Sequence, residues 1–264
     1  MLNGEAPSPP SRPINAVLIA SGRYHDIDHA RLEILKILGG NPCIRTRVFE
    51  DYSRIEAIMA ADFIVSYTCD VTPSLPEQEA LRRYIAGGGR WYALHGTNSI
   101  LRFTAEGLVD TPNLAPHFME TLGTMFQGHP PIGPYQVHKT AAGRDHPLTA
   151  DIEPFETVDE LYLSTILAEI EVLLAAGFAG RTDRFTTSQW EQQDHPVLYL
   201  RRIGSGTILY LTLGHCRGHY DMQPLTDFYP RVERGSWDNP VFHTLLRRGL
   251  DWAAGVMPEG GSGF

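Results

Sequence analysis

The run Gly87-Gly88-Gly89-Arg90-Trp91-Tyr92-Ala93-Leu94-His95-Gly96 decides the fold class. Three glycines stop a helix, a continuous apolar strand follows, and His95-Gly96 marks a sharp turn at its carboxyl end. A strand that is apolar throughout, rather than alternating, is covered on both faces, as in parallel sheets flanked by helices. Upstream, the same grammar repeats. A strand at Asn15 to Ala20, bounded by Ser21-Gly22, leads into a helix for which Asp28 is the predicted cap. That helix carries an apolar stripe of Leu32, Ile34, Leu35 and Leu38 and stops at Gly39-Gly40. Strand Ile44 to Phe49, helix Ser53 to Ala60, strand Phe63 to Tyr67 and helix Pro76 to Ala86 complete the series. Such alternation implies parallel βαβ units with right-handed crossovers.

Downstream of His95 the pattern loosens. A helix is predicted over Pro116 to Leu122, then a turn-rich stretch from Gly128 to Pro134. Strands of a more mixed sheet are predicted at Tyr135 to Lys139, Thr157 to Leu163 and Glu171 to Ala176. A hairpin pairs Val197 to Ile203 with Thr207 to Leu213 through Gly204-Ser205-Gly206. The last helix, Pro240 to Ala254, offers Val241, Leu245, Leu246, Leu250 and Trp252 to the sheet. The expected architecture is therefore α/β, flavodoxin-like and doubly wound, with a mostly parallel sheet and an elaborated mixed second half. One domain is expected over 14–256, between a disordered head at 1–13 and a flexible tail at 257–264.

Composition narrows the partners. The 264 residues carry 22 basic and 31 acidic side chains, a formal net charge of −9. With no basic cluster, the chain is not expected to bind nucleic acid, whose affinity comes from neutralising phosphates. Apolar runs such as Ala16 to Ala20 and Val172 to Ala176 fall far short of the roughly 18 residues of a membrane span. Cys43, Cys69 and Cys216 show no C-x-x-C spacing, which suits a reducing compartment, and the head lacks the pattern of a secretory signal. Cytoplasmic localisation is the expectation, and a homo-oligomer is admitted.

In an open α/β sheet, ligands bind beyond the carboxyl ends of the strands. Four of the eleven histidines fall at or beside such ends: His25, His95, His215 and His219. His25 belongs to the loop before the first helix, with His29 one helical turn further on. His95 occupies the apex of a strand-turn-helix elbow. There an imidazole serves as general base, oxyanion partner or metal ligand, whereas a thiol or hydroxyl would form an acyl-enzyme. His129 and His146 each precede proline, which holds them extended. In Val158-Asp159-Glu160-Leu161-Tyr162, period-two alternation puts Glu160 and Tyr162 on one face with Val158, as carboxylate base or ligand and phenolic donor. Asn98 lies just past the elbow. Each residue also has a structural explanation: a backbone-bonded core histidine, a surface turn or a solvated strand face. No G-x-S-x-G, Walker or G-x-G-x-x-G motif is present.

Taken in order, His25, Gly88-Gly89 to Leu94-His95, Gly128-His129-Pro130, His146-Pro147-Leu148-Thr149, Asp159-Glu160-Leu161-Tyr162, Gly204-x-Gly206, Leu213-Gly214-His215 and Leu250-Asp251-Trp252-Ala253 resemble the ThuA-like, or trehalose-utilisation, family. The resemblance covers about residues 14–256 and implies a fold of the class I glutamine amidotransferase-like superfamily. It also implies a link to sugars such as trehalose and 3-keto disaccharides. True glutamine amidotransferases present a cysteine at the elbow; His95 stands there instead, so thioester glutaminase chemistry is not expected. Segments Phe185 to Asp194 and Gly218 to Arg234 are further departures, with Trp190, Tyr220, Phe228, Tyr229 and Trp237 as candidate sugar-stacking rings or core residues.

Two functions follow as expectations. The first is an isomerase, lyase or hydrolase acting on a keto-sugar or glycoside, with His95, Glu160, His25 and His215 catalytic and His129, His146, Tyr162, Asn98 and Trp190 binding substrate. A divalent metal, zinc or manganese, held by His25, His95, His129 and His215, is one version; metal-free acid–base catalysis is the other. The second is a non-catalytic sugar-binding or regulatory protein using the same crevice. Thiol chemistry at Cys69 or Cys216 is a third option.

Overall fold

The β-strands that run continuously apolar in sequence occupy the middle of a nine-stranded sheet. A computed structural model describes residues 12–257. Of the segments expected to be disordered or flexible, only Arg12, Pro13 and Met257 fall within those residues; Arg12 pairs with Asp62 at 2.6 Å and Met257 packs against the core. The first half contains β1 (Ile14–Gly22), α1 (Ile27–Gly39), β2 (Ile44–Phe49), α2 (Ile55–Met59), β3 (Phe63–Cys69), α3 (Leu75–Ala86) and β4 (Arg90–Leu94). After them come β5 (Arg102–Phe103), β6 (Val109–Asp110), α4 (Pro116–Leu122), β7 (Thr124–Gly128), β8 (Gly133–Lys139), β9 (Phe155–Asp159) and β10 (Leu163–Ile166). The chain ends with β11 (Glu171–Arg181), β12 (Gln189–Ile203), β13 (Gly206–Leu211) and α5 (Pro240–Ala253).

Strand order is β2-β1-β3-β4-β13-β12-β11-β8-β9. The pairings of β1 with β2 and β3, of β3 with β4, and of β4 with β13 are parallel. From β13 outward the ladder turns antiparallel through β12, β11, β8 and β9. The parallel half thus has the doubly wound order in which a crevice opens where the strand order reverses. Helices α1 and α5 bury Ile34, Leu38, Leu245 and Leu246 against one face. Helices α2, α3 and α4 cover the other through Ile58, Leu81, Ile85 and Phe118. Every residue of β3 is buried, the hydroxyls of Ser66 and Thr68 being paired with those of Thr97 and Tyr52.

Several local expectations are corrected. The N-cap of α1 is Asp26, whose carboxylate accepts the His29 N–H at 3.0 Å, while Asp28 lies exposed in the first turn beside Arg31. The strand predicted at Thr157 to Leu163 is two strands: β9 ends at Asp159 and β10 begins at Leu163. Alternation therefore stops at Asp159. Val158 is exposed, whereas Asp159, Glu160, Leu161 and Tyr162 are all buried, so Glu160 does not share a strand face with Val158.

That break is built around the Asp159 carboxylate. It accepts the backbone N–H groups of Glu160 at 2.7 Å, Gly214 at 3.0 Å, His215 at 3.2 Å and Ser236 at 3.0 Å. One buried anion thus ties the end of β9 to the segment after β13 and to the turn before α5, giving peptide donors that lie outside the ladders their partners. Close approach elsewhere depends on glycine. A Cβ on Gly22, at φ +123°, would meet the Cys69 carbonyl oxygen at 1.9 Å, so only glycine lets β1 end against β3 there.

Replacing Asp159 by alanine strands these buried donors and is expected to lower unfolding stability by about 2–4 kcal/mol. Urea denaturation measures it; a midpoint equal to wild type would show that Asp159 carries no such role.

Candidate metal centre

Beyond the carboxyl ends of β1, β4 and β13, three imidazoles and one carboxylate converge. His25 lies in the loop after β1, His95 begins the 3-10 turn after β4, His215 follows β13, and Glu160 follows β9. Ligand atoms of these four residues all lie within 4.8 Å of one another, and all four residues are buried. The backbone is strained where they meet: Tyr24, Asp70 and His95 have φ of +68°, +59° and +44°. Left-handed conformations of non-glycine residues cost about 1–3 kcal/mol and persist where the surroundings over-determine them. At the elbow, a Cβ on Gly96 would sit 2.6 Å from the Thr68 carbonyl oxygen, so the His-Gly pair permits the sharp turn.

Hydrogen bonds to the outer nitrogens orient the rings. His95 Nδ1 donates to the Thr212 carbonyl at 2.8 Å, and His25 Nδ1 donates to the Arg23 carbonyl at 3.2 Å. Carbonyls only accept, so in each neutral ring Nε2 carries a lone pair directed inward. Those two Nε2 atoms are 2.8 Å apart. Glu160 Oε2 stands 3.6 Å from the first and 3.5 Å from the second, and its Oε1 is 3.1 Å from His215 Nδ1. His215 Nε2 faces Glu233 at 2.8 Å, while its inner, buried Nδ1 is paired with Glu160 outside hydrogen-bond geometry.

The donor set fits a divalent cation. Ligands at about 2.0–2.1 Å around a tetrahedral zinc are roughly 3.3 Å from one another; His25 Nε2, His95 Nε2 and Glu160 Oε2 are separated by 2.8, 3.5 and 3.6 Å, and the full set of four lies within 4.8 Å. Three imidazoles and a carboxylate suit zinc or manganese. Each ring is also backed by an acceptor, the outer arrangement that metal-binding histidines use to fix their tautomer.

Electrostatics point the same way. Burial pushes the His25 imidazole down to about 3. Burial also acts to lower His215, but Glu160 and Glu233 outweigh it and raise the group to about 9. Glu160 would be raised by burial; His129 and His215 reverse this and hold it well below the usual carboxylate range. The two carboxylates that favour a proton on His215, Glu160 at 3.1 Å and Glu233 at 2.8 Å, would equally favour a cation at Nδ1. Arg217 closes the network, donating to Glu233 at 2.9 Å and reaching Glu160 at 3.5 Å.

Two more of the expected residues touch the cluster. His129 Nε2 lies 3.4 Å from Glu160 Oε1, outside the group of four, and its side chain is 21% exposed while His95 and His215 have no exposed side-chain surface. The four-residue set thus holds Glu160 where His129 was expected as a ligand. The Tyr162 hydroxyl is 3.4 Å from His95 Nε2.

The structure does not bring in His146, Asn98 or Trp190. His146 lies near Glu171 and Arg202, at the amino end of the parallel strands. Asn98 turns away to donate to Thr124, and Trp190 sits on β12, donating to Thr182. His29 packs its ring against Trp237, and His219 against Phe228. Burial pushes the Cys69 thiol well up and the Cys216 thiol to about 12, which disfavours the thiolate in both. A concavity of about 780 Å³ lined by Arg47, Phe49 and Arg54 beside β2 contains none of these groups. Asp159, Arg217 and Glu233 were not anticipated. Only Asp159 had a sequence signal, its place beside Glu160, because Glu233 lies in an irregular segment with no period to read.

Comparison with known proteins agrees with this architecture. A ThuA-like protein of Bacteroides uniformis superposes with a TM-score of 0.62 at 18% identity, over 92% of both chains. One from Parabacteroides merdae gives 0.58 at 16% identity, over 92% of this chain and 90% of that one. A β-galactosidase from Bacillus circulans gives 0.50 at 13% identity, over 93% of this chain but 32% of the enzyme. At such identities these likenesses show the fold alone. No curated protein sequence matches the chain. The family model described as ThuA, trehalose utilisation, matches residues 16–231. With its fold shared by two ThuA-like structures and most of its length matched, the chain belongs to the ThuA family.

Proposed function

We propose that this chain is a metal-assisted enzyme of carbohydrate metabolism acting on a keto-sugar or keto-disaccharide, by removing a proton from carbon beside a carbonyl. The convergence of His25, His95, His215 and Glu160 within 4.8 Å carries the proposal. The family's link to trehalose utilisation supports a carbohydrate substrate.

The four buried residues would hold the cation. A bound divalent ion would supply Lewis-acid polarisation of substrate oxygens, lowering the cost of an enediolate. The protein's own groups do the rest. Imidazole orientation is fixed by Thr212, Arg23 and Glu233, so little reorganisation accompanies binding. Because His95 and His215 have no side-chain exposure, substrate approaches from the side of His129. His129 is placed there to take the carbon-bound proton, and its ring is held by Phe126 and Phe185, at 6.1 and 5.0 Å. Tyr162, whose phenol is kept protonated by burial, packs on Phe126 as His129 does and brings its hydroxyl to 3.4 Å from His95 Nε2, where it can donate a hydrogen bond to a substrate oxygen. An elbow imidazole in place of cysteine leaves no thiol for a glutaminase thioester.

Protein expressed with supplemented zinc or manganese is expected to carry about one ion per chain by elemental analysis, with His95→Ala and Glu160→Ala reduced at least about tenfold in affinity. Wild type without metal would overturn the metal-assisted reaction. With trehalose, glucosides and their 3-keto forms followed by NMR in deuterated water, exchange or product is expected for a keto form. His129→Ala should slow this by about 10²–10⁴-fold while keeping its metal. Metal-loaded wild type that exchanges no proton and forms no product from any of them would contradict the enzymatic role.

A further inference from the structure

We infer that the loop 218–234 presents an aromatic platform for the second ring of a disaccharide, the ring that is not transformed; this rests on the carbohydrate role proposed above. The loop leaves the sheet directly after His215 and Arg217 and is closed at its base by a two-way backbone clasp. Arg217 N–H donates to the Glu233 carbonyl at 2.9 Å, and Glu233 N–H returns to Arg217 at 2.8 Å. A second clasp lies further out, where Tyr229 N–H donates to the His219 carbonyl and His219 Nδ1 to the Tyr229 carbonyl, both at 2.7 Å. The loop is thus braced although it has no helix or long strand. It also leans on the segment carrying His25, since Tyr24 N–H donates to the Asp221 carbonyl at 3.1 Å.

On this braced loop, Phe228 stacks on His219 with ring centroids 4.8 Å apart and planes 10° from parallel, and Tyr220 meets Phe228 edge-on at 5.9 Å. Core packing accounts for the other aromatic rings nearby. Trp237 is buried and donates to the Gly214 carbonyl, and Tyr229 lies under the Arg217 guanidinium. It does not account for Tyr220, 69% exposed, or Phe228, 52% exposed. Grouped aromatic surface left in water marks a binding surface.

Two considerations name the occupant. The four-residue cluster is buried, so a disaccharide cannot be enclosed there whole and its second ring must rest on surface outside it. A pyranose presents an apolar C–H face, which suits exposed rings on a loop whose base carries Arg217, itself 3.5 Å from Glu160.

The test compares trehalose with glucose, each titrated by ligand-observed NMR into metal-loaded full-length protein. Wild type is expected to bind trehalose roughly tenfold more tightly than glucose. The Tyr220→Ala/Phe228→Ala variant should lose that preference while glucose affinity changes less than about twofold. Tyr220→Trp, which keeps an aromatic face and serves if the double variant misfolds, should preserve the preference. Overturning results are retention of the preference in the double variant, its loss in Tyr220→Trp, or equal binding of both sugars by wild type. A wild type that binds neither sugar overturns the carbohydrate role as well, and so is distinguishable. A wild-type dimer that the double variant converts to monomer in sedimentation assigns the patch to a second copy of the chain and overturns the platform.

Discussion

Two inward-facing imidazole nitrogens, those of His25 and His95, stand 2.8 Å apart with a carboxylate within 3.6 Å of both. Lone pairs so arranged repel unless something positive lies among them, and low polarity makes the repulsion severe. The protein fixes the problem rather than avoiding it, because backbone carbonyls of Arg23 and Thr212 hold the outer N–H groups in place. A cation among them would satisfy all four inner groups at once.

The sheet explains how residues so far apart in sequence meet. Parallel strands deliver their carboxyl ends to one edge, which brings the loops after β1, β4 and β13 together. Glu160 arrives from the antiparallel half because Asp159 breaks β9 and binds the backbone of His215 and Ser236. A single aspartate therefore sets both where the strand stops and where the third imidazole begins. The buried Glu160 carboxylate is surrounded: His129, His215 and Arg217 approach one oxygen, His25 and His95 the other. Removing a partner from such a network leaves an uncompensated charge, costing more than the pair itself contributes. Strain at Tyr24, Asp70 and His95 is concentrated at the same edge. That is the usual place for a fold to store it.

Much of the parallel half was legible because its signals are local. The run into His95 gives β4 and its turn without ambiguity, and the continuous apolar strands imply two helical layers. His25, His95 and His215 could be assigned to one edge because topology alone puts them there. Glu160 was readable as a residue type but not by face, since alternation assumes a strand that in fact ends one residue earlier. His146 precedes proline as His129 does, yet lies at the other end of the strands; the dipeptide constrains backbone angle, not location. Asp28 and Asp26 are equally good caps by type, and contact with Arg234 accompanies the choice of Asp26. Glu233 and Arg217 belong to irregular chain, where no periodicity exists to be read.

The central claim is that these side chains form one cation site. Crystals grown with zinc or manganese and measured on both sides of the metal's absorption edge test it most directly. An anomalous peak about 2.0–2.3 Å from His25 Nε2, His95 Nε2, His215 Nδ1 and a Glu160 oxygen is expected. A map with no peak there, or with the three rings turned away from one another, would contradict it.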